Sequence, residues 1–134
     1  MKIRKLTESD YKTLEKWWKA WNWPPIKKDF LPENGKGGLI VEAKDGTLIV
    51  AGFLYMTNSD AVLLEWIISN PEYRENDRDA AITSLILGAE QVVKNAGKKY
   101  MFTIGRNKGL INKHKELGWH VDDKPSYEIV KTLN

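Results

Sequence analysis

Apolar and polar positions alternate at the start of the chain and then recur at helical spacing. Lys2–Leu6 alternates, which predicts a first strand. Thr7-Glu8-Ser9-Asp10 then offers N-capping side chains, and Trp23-Pro24-Pro25 stops the next element because proline lacks an amide hydrogen. Between them we expect a helix with apolar positions at Tyr11, Leu14, Trp17, Trp18 and Trp21.

Three β-rich stretches follow, and short polar turns separate them. They are Leu39–Ala43, Leu48–Thr57 and Ala61–Ser69. Asp45-Gly46 between the first two is a strong hairpin signal, and Asn58-Ser59-Asp60 makes a second tight turn. The pattern predicts an antiparallel meander.

The second half of the chain predicts a strand–helix–strand unit and two closing strands. A long helix ends at Gly97 and is followed by a strand at Tyr100–Ile104, a short helix at Leu110–Leu117, and strands at Trp119–Val121 and Tyr127–Leu133. We therefore expect an α/β (α+β) fold. Its mixed, mainly antiparallel twisted sheet would have six to seven strands, with about four helices on both faces.

Composition restricts the class of protein. A chain of 134 residues with 42% hydrophobic and 29% charged residues is expected to form one domain over residues 1–134. No apolar run reaches about 18 residues, so no membrane span is expected. The absence of cysteine fits a cytoplasmic protein, and two histidines alone predict no metal site. The net charge of +3 favours anionic small molecules over nucleic acid.

The strand Ala61–Ser69 runs through the turn Asn70-Pro71-Glu72-Tyr73-Arg74 into a helix N-terminus, where backbone amides and the helix dipole attract anions. This order of elements, and the stretch Ile67 to Arg74, resemble the acyl-CoA-binding half of the GNAT acetyltransferases. The resemblance covers nearly the whole chain and extends to GNAT-like proteins of phage genomes. It implies acetyl-CoA as acyl donor, with cofactor contacts from Ile67, Ile68, Ser69, Arg74, Arg78, Asp79, Ala80, Ala81 and Asn107.

The loop after Arg74 departs from the family pattern, because Asp77 and Asp79 stand where that family has glycines. A short insertion would move the helix start to between Arg78 and Ala81, with alanines replacing a glycine. The acidic side chains either cap the helix or repel a bound phosphate, and Arg74 and Arg78 supply the opposite charge.

Two residues are candidates for proton transfer. Asn107, His114 and Gly118-Trp119 match the spacing of a GNAT signature in which an asparagine contacts the CoA arm and a tyrosine protonates the leaving thiolate. His114 takes the place of that tyrosine and is either the acid or a half-exposed helix histidine. Glu65, inside an apolar strand, is either the base for the attacking amine or a solvated or ion-paired surface residue.

Four tryptophans lie within Trp17–Trp23. Trp17 and Trp18 diverge by about 100° on a helix, so at least one indole of this segment should be partly exposed. Trp18, Trp21 and Trp23 are candidates for substrate binding, because the resemblance places this region beside the acceptor. The alternatives are a cluster that holds the following loop in place, and a stacking surface for single-stranded nucleic acid.

Two functions follow from these patterns. The first is an acyl-CoA-dependent N-acyltransferase that passes an acetyl group to a small-molecule or peptide amine by direct attack. The second is a catalytically inactive GNAT-fold binding module that uses the cleft or the Trp17–Trp23 patch for a protein or nucleic-acid partner. A homodimer is compatible with either, and fold alone does not decide between them.

Overall fold

The computed structural model describes all 134 residues, which form two compact units, residues 1–104 and residues 105–134. The first unit contains a β-sheet, two α-helices and two short 3-10 turns. The second contains one α-helix and a C-terminal segment without regular structure. No helix combines the length and the apolar character that crossing a lipid bilayer would require.

The sheet of the first unit has five strands in chain order. The first four form antiparallel pairs, and the fifth runs parallel to the fourth. The mixed sheet expected from the sequence is therefore confirmed. The strands are β1 (Lys2–Lys5), β2 (Gly38–Glu42), β3 (Leu48–Met56), β4 (Ala61–Ser69) and β5 (Tyr100–Phe102).

The predicted hairpin between β2 and β3 is confirmed. Gly46 has a φ of +89°, which a glycine adopts without steric cost, and the Asp45 carboxylate accepts the amide of Thr47 at 3.0 Å. These two features fix the turn that sets the register of the hairpin.

Two helices cover opposite faces of the sheet. On one face, α1 (Asp10–Ala20) buries Leu14, Trp17 and Trp18 in a core that includes Ile40, Phe53 and Ile68. On the other face, Leu85 and Gly88 of α2 (Arg78–Asn95) approach Gly52 and Leu39. Leu39 and Ile40 are consecutive, as are Gly52 and Phe53, and successive strand side chains point to opposite faces.

Both ends of α2 agree with the sequence expectation. The helix begins at Arg78, and Gly97 follows its end with a φ of +77°. The amide of Lys98 donates to the carbonyl of Val93 at 3.2 Å, and that of Gly97 donates to Lys94 at 3.0 Å. This glycine C-cap satisfies carbonyls that the last helical turn leaves unpaired.

The two closing strands predicted from the sequence are absent from the structure. The predictions of strands at Trp119–Val121 and Tyr127–Leu133 are wrong: the structure has five strands and three α-helices, not six to seven and about four. Tyr127, Ile129 and Leu133 are each more than four-fifths exposed. β-favouring side chains do not form a strand where there is neither a neighbouring strand nor an apolar surface against which to pack.

The start of α1 is fixed by a charged network. Arg4 binds Asp10 with both terminal nitrogens, at 2.8 and 2.9 Å, and Glu42 through Nε at 2.6 Å. Asp10 is only 5% exposed and also accepts the amide of Thr7 at 2.7 Å. Because β1, β2 and α1 meet at this cluster, it ties the first helix to the sheet edge.

We expect Asp10→Asn to lower the free energy of unfolding by about 2–3 kcal/mol, because it removes the buried negative charge that binds the partly exposed Arg4 guanidinium. Urea denaturation at neutral pH measures this loss. Glu33→Gln is the matched control, since the Lys5–Glu33 pair is exposed at 3.5 Å and should contribute less than about 1 kcal/mol. Equal losses in the two variants would contradict the assignment.

The same cluster predicts a loss of stability in acid. Burial opposes ionisation of Asp10, but hydrogen bonds from Arg4 and Thr7 outweigh it and lower the pKa of Asp10. A carboxyl with a lower pKa in the folded state stabilises the fold above its unfolded pKa, and this contribution disappears as pH falls through the folded pKa. The wild type should therefore lose stability below about pH 4, and Asp10→Asn should lose less over that interval. Urea midpoints across this range measure both slopes, and parallel slopes would refute the expectation.

Candidate functional site

Strands β4 and β5 pair over only a short length. Their register runs from Ala61 and Tyr100 to Leu63 and Phe102, after which β4 continues to Ser69 without β5 beside it. Just past the last pair, the Glu65 carboxylate accepts the amide of Ile104 at 3.0 Å. Glu65 therefore bridges the two strands where their backbone pairing ends, and the rest of β4 presents an edge on that side.

A β-bulge lies at this point of β4. The register shifts between Ala51 and Phe53, and Trp66 has a φ of +57°. Its indole donates to the Tyr55 hydroxyl at 2.8 Å, and Tyr55 in turn donates to the carbonyl of Phe30 at 2.8 Å. A bulge bends the strand and increases its twist, which redirects the backbone beyond it.

The far end of β4 contacts the tryptophan segment. Trp21 donates its indole N–H to the carbonyl of Ser69 at 2.8 Å, and Trp21 and Trp23 are 36% and 39% exposed. Trp18 is fully buried between Tyr11 and Phe53, so it contributes to the core instead of an exposed surface. The expectation that part of this segment is exposed is confirmed.

The turn after β4 is held by Asn70. Its amide donates to Ile49 at 2.7 Å, and its side chain donates to Leu48 at 2.9 Å and accepts the amide of Glu72 at 3.0 Å. These contacts anchor the turn to β3, and the chain then reaches the first residue of α2 at Arg78.

The first turn of α2 keeps an amide available for an anion. Arg78 and Ala81 donate their amides to Glu75 and Asp77, and Ala81 is also fully buried. The amide of Ala80, in an exposed residue, makes no hydrogen bond within the protein. Helix N-termini with free amides bind anions through those amides and the dipole.

The N-cap carboxylate does not occupy these amides. Asp77 makes no capping hydrogen bond, and its Oδ1 instead accepts the hydroxyl of Tyr73 at 2.6 Å. That bond, with a smaller contribution from burial and from nearby carboxylates, raises the pKa of Tyr73 to about 12. The phenol therefore stays protonated and keeps the carboxylate tethered. The four-residue spacing of Tyr73 and Asp77 is the only sequence signal for this contact.

Two arginines flank the helix start. Arg74 is exposed in the turn, Arg78 is half-buried, and neither guanidinium forms an ion pair with a carboxylate. Asp79 is exposed in the first turn and adds negative charge. Unpaired guanidinium groups are well suited to bind a phosphate group.

The second unit contains the other two candidates, on or beside α3 (Lys108–Glu116). Asn107 caps this helix, since its Oδ1 accepts the amide of Leu110 at 3.0 Å. His114 is buried. Its Nδ1 lies 2.8 Å from the carbonyl of Leu110, which fixes that nitrogen as the donor, and Nε2 has no partner. The ring packs edge-on against Trp119 at 4.7 Å.

Comparisons of sequence find no match among family models or curated proteins. Solved structures do match. A "probable acetyltransferase" is 17% identical with a TM-score of 0.73, covering 100% of this chain and 99% of its own. An aminoglycoside 6'-N-acetyltransferase from Acinetobacter baumannii is 19% identical with a TM-score of 0.62, covering 99% of both chains. A Mycobacterium tuberculosis protein in complex with CoA is 16% identical with a TM-score of 0.60, covering 86% of this chain and 70% of its own.

At these identities the likeness is one of architecture. The meander, the parallel β4–β5 pair and the helix after β4 are the elements that the sequence resemblance anticipated. This chain has the fold of the GNAT acetyltransferases.

Proposed function

We propose that the chain is an acyl-CoA-dependent N-acyltransferase that moves an acetyl group from acetyl-CoA to a small-molecule or peptide amine. The observation that carries the proposal is the continuity between the edge of β4 and the first turn of α2. Beyond Leu63 the strand has no β5 neighbour, and it leads through one anchored turn to an available amide beside two unpaired arginines. A free strand edge that leads directly to an anion-binding helix start suits a ligand with an amide-rich arm and a diphosphate.

The residues of this chain fit that ligand in distinct ways. The backbone of Ile67, Ile68 and Ser69 would bind the amide-rich arm. The amide of Ala80 and the guanidinium groups of Arg74 and Arg78 would bind the diphosphate, with Asp79 and Ala81 in the same turn. Asn107 is assigned to the arm by resemblance alone, and its side-chain oxygen caps α3. When bound, acetyl-CoA supplies an activated thioester carbonyl.

Glu65 and His114 are the proposed proton-transfer residues. Glu65 would accept the proton of the attacking amine, and the amide of Ile104 holds its carboxylate in position. His114 donates from Nδ1 to Leu110, so its Nε2 is an acceptor in the neutral ring. It would therefore act as an acid only after Nε2 takes up a proton. Trp21 and Trp23 are the exposed aromatic groups proposed to contact the acceptor.

The second candidate is a binding module that keeps the fold without catalysis. The observation that favours it is the acidic loop, in which Asp77 and Asp79 stand at the helix start and no glycine follows Arg74 before the helix. The exposed Trp21 and Trp23 would then serve a partner instead of an acceptor.

Acetyl-CoA binding distinguishes the candidates. We expect saturable binding by calorimetry, with Arg74→Ala and Arg78→Ala each raising Kd about tenfold because each removes a charge-assisted contact to phosphate. Lys94→Ala, at the opposite end of α2, is the matched control and should bind like the wild type. No binding at millimolar acetyl-CoA would favour the binding module. Binding of acetyl-CoA without release of free CoA in the presence of a panel of amines would also favour the binding module.

The tether between Tyr73 and Asp77 gives a second test. Tyr73→Phe frees the Asp77 carboxylate, which can then cap the amides of α2 or repel a phosphate at the helix start. The variant should therefore raise the Kd for acetyl-CoA about fivefold, roughly 1 kcal/mol. Asp77→Asn in the same chain should restore most of that loss, since it removes the charge. A Kd for Tyr73→Phe equal to that of the wild type would show that the tether is irrelevant to binding.

A further inference from the structure

The bulge in β4 puts two consecutive side chains on the same face of the sheet. Phe53 belongs to the core that α1 covers, and Glu65 is its partner on β4, so the side chain of Glu65 points to the α1 face. Trp66 packs against the same core. In a regular strand two neighbouring side chains point to opposite faces. The bulge therefore places a carboxylate directly beside an indole ring.

Trp66 is part of an aromatic cluster that also contains Phe30, in the first 3-10 turn, and Tyr55 of β3. The rings of Phe30 and Trp66 meet edge-on, with their centroids 6.1 Å apart. The indole of Trp66 donates to the hydroxyl of Tyr55, which donates to the carbonyl of Phe30, so the polar hydrogens of the cluster are used within it. Phe30 is 47% exposed and the other two rings are half-buried. The cluster therefore offers apolar ring surface to a ligand.

The Glu65 carboxylate lies close enough to the aromatic cluster to act on it electrostatically. Burial is the main cause of the raised pKa of Tyr55, and the negative charge of Glu65 adds to it. Leu63 is paired with Tyr55, so it lies half-buried on the same face, two residues before Glu65. A carboxylate between an aliphatic side chain and aromatic rings suits a ligand that combines one positive charge with an aromatic ring.

The loop that contains Phe30 disfavours a ligand with several positive charges. Residues 24–37 include three lysines and two acidic residues. One of the acidic residues, Glu33, lies 3.5 Å from Lys5. The net positive charge of this loop repels a polyamine, and Glu65 compensates a single ammonium group.

We infer that the acceptor is a monoamine carried on an aromatic ring, with its nitrogen at Glu65 and its ring against Phe30 and Trp66. This inference rests on the proposed function and narrows its acceptor from amines in general to one chemical class. Glu65 takes one proton from the ammonium group. The nitrogen then forms the amide bond as the C–S bond of the thioester breaks, and its second surplus proton goes to the sulfur, which leaves as free CoA.

Rates of CoA release with three amines, at saturating acetyl-CoA, test the inference. 2-Phenylethylamine carries a ring, butylamine has the same single charge without a ring, and spermidine has three charges. We expect kcat/KM for phenylethylamine to exceed that for butylamine about tenfold, and that for spermidine by a larger factor. Phe30→Ala should reduce the first ratio to about twofold, because it removes the exposed ring. Leu87→Ala is the matched control: Leu87 is 46% exposed on α2, across the sheet, and this variant should keep the wild-type ratio.

The outcomes separate this inference from the proposed function. Turnover of butylamine or spermidine as fast as that of phenylethylamine would overturn the aromatic class and leave the transferase standing, and so would an unchanged ratio in Phe30→Ala. If no amine releases CoA, the proposed function fails, and saturation-transfer NMR of phenylethylamine then tests the site by itself. Binding that Phe30→Ala weakens about tenfold would support a site for an aromatic monoamine, and absence of binding would overturn it.

Discussion

The direction of β4 is the constraint on which the rest of the structure depends. Its bulge keeps Trp66 at a φ of +57°, a conformation that costs a bulky residue about 1–2 kcal/mol. The bond to Tyr55 and the edge contact of the Trp66 ring with Phe30 offset that cost. Because a bulge bends and twists its strand, the part of β4 beyond it follows a course that β5 does not share. The edge of β4, the Glu65 bridge and the turn to α2 all follow from that course.

The sequence predicts those parts of the fold that local chemistry decides. Asp45-Gly46 requires a turn and Gly97 a helix end, and the strands between them alternate or are apolar. The bulge could not be predicted, since tryptophan rarely adopts positive φ and only the contacts of Trp66 with distant residues stabilise it there. The prediction of the closing strands was wrong for the converse reason. Tyr127–Leu133 has strong β-propensity, and propensity alone does not provide a neighbouring strand.

For the candidate site too, the sequence predicts the position of the elements but not the contacts of their side chains. The order of a strand, a proline turn and a polar loop predicts a helix start between Arg78 and Ala81, and the helix begins at Arg78. It does not indicate what the acidic side chains of that loop do. The sequence leaves Asp77 either to cap the helix or to repel a phosphate. In the structure its carboxylate makes no capping bond and accepts the hydroxyl of Tyr73 instead. Sequence reasoning also left Trp18 among the exposed candidates, since helical spacing cannot tell which of several clustered indoles the fold will cover. The structure buries both Trp17 and Trp18.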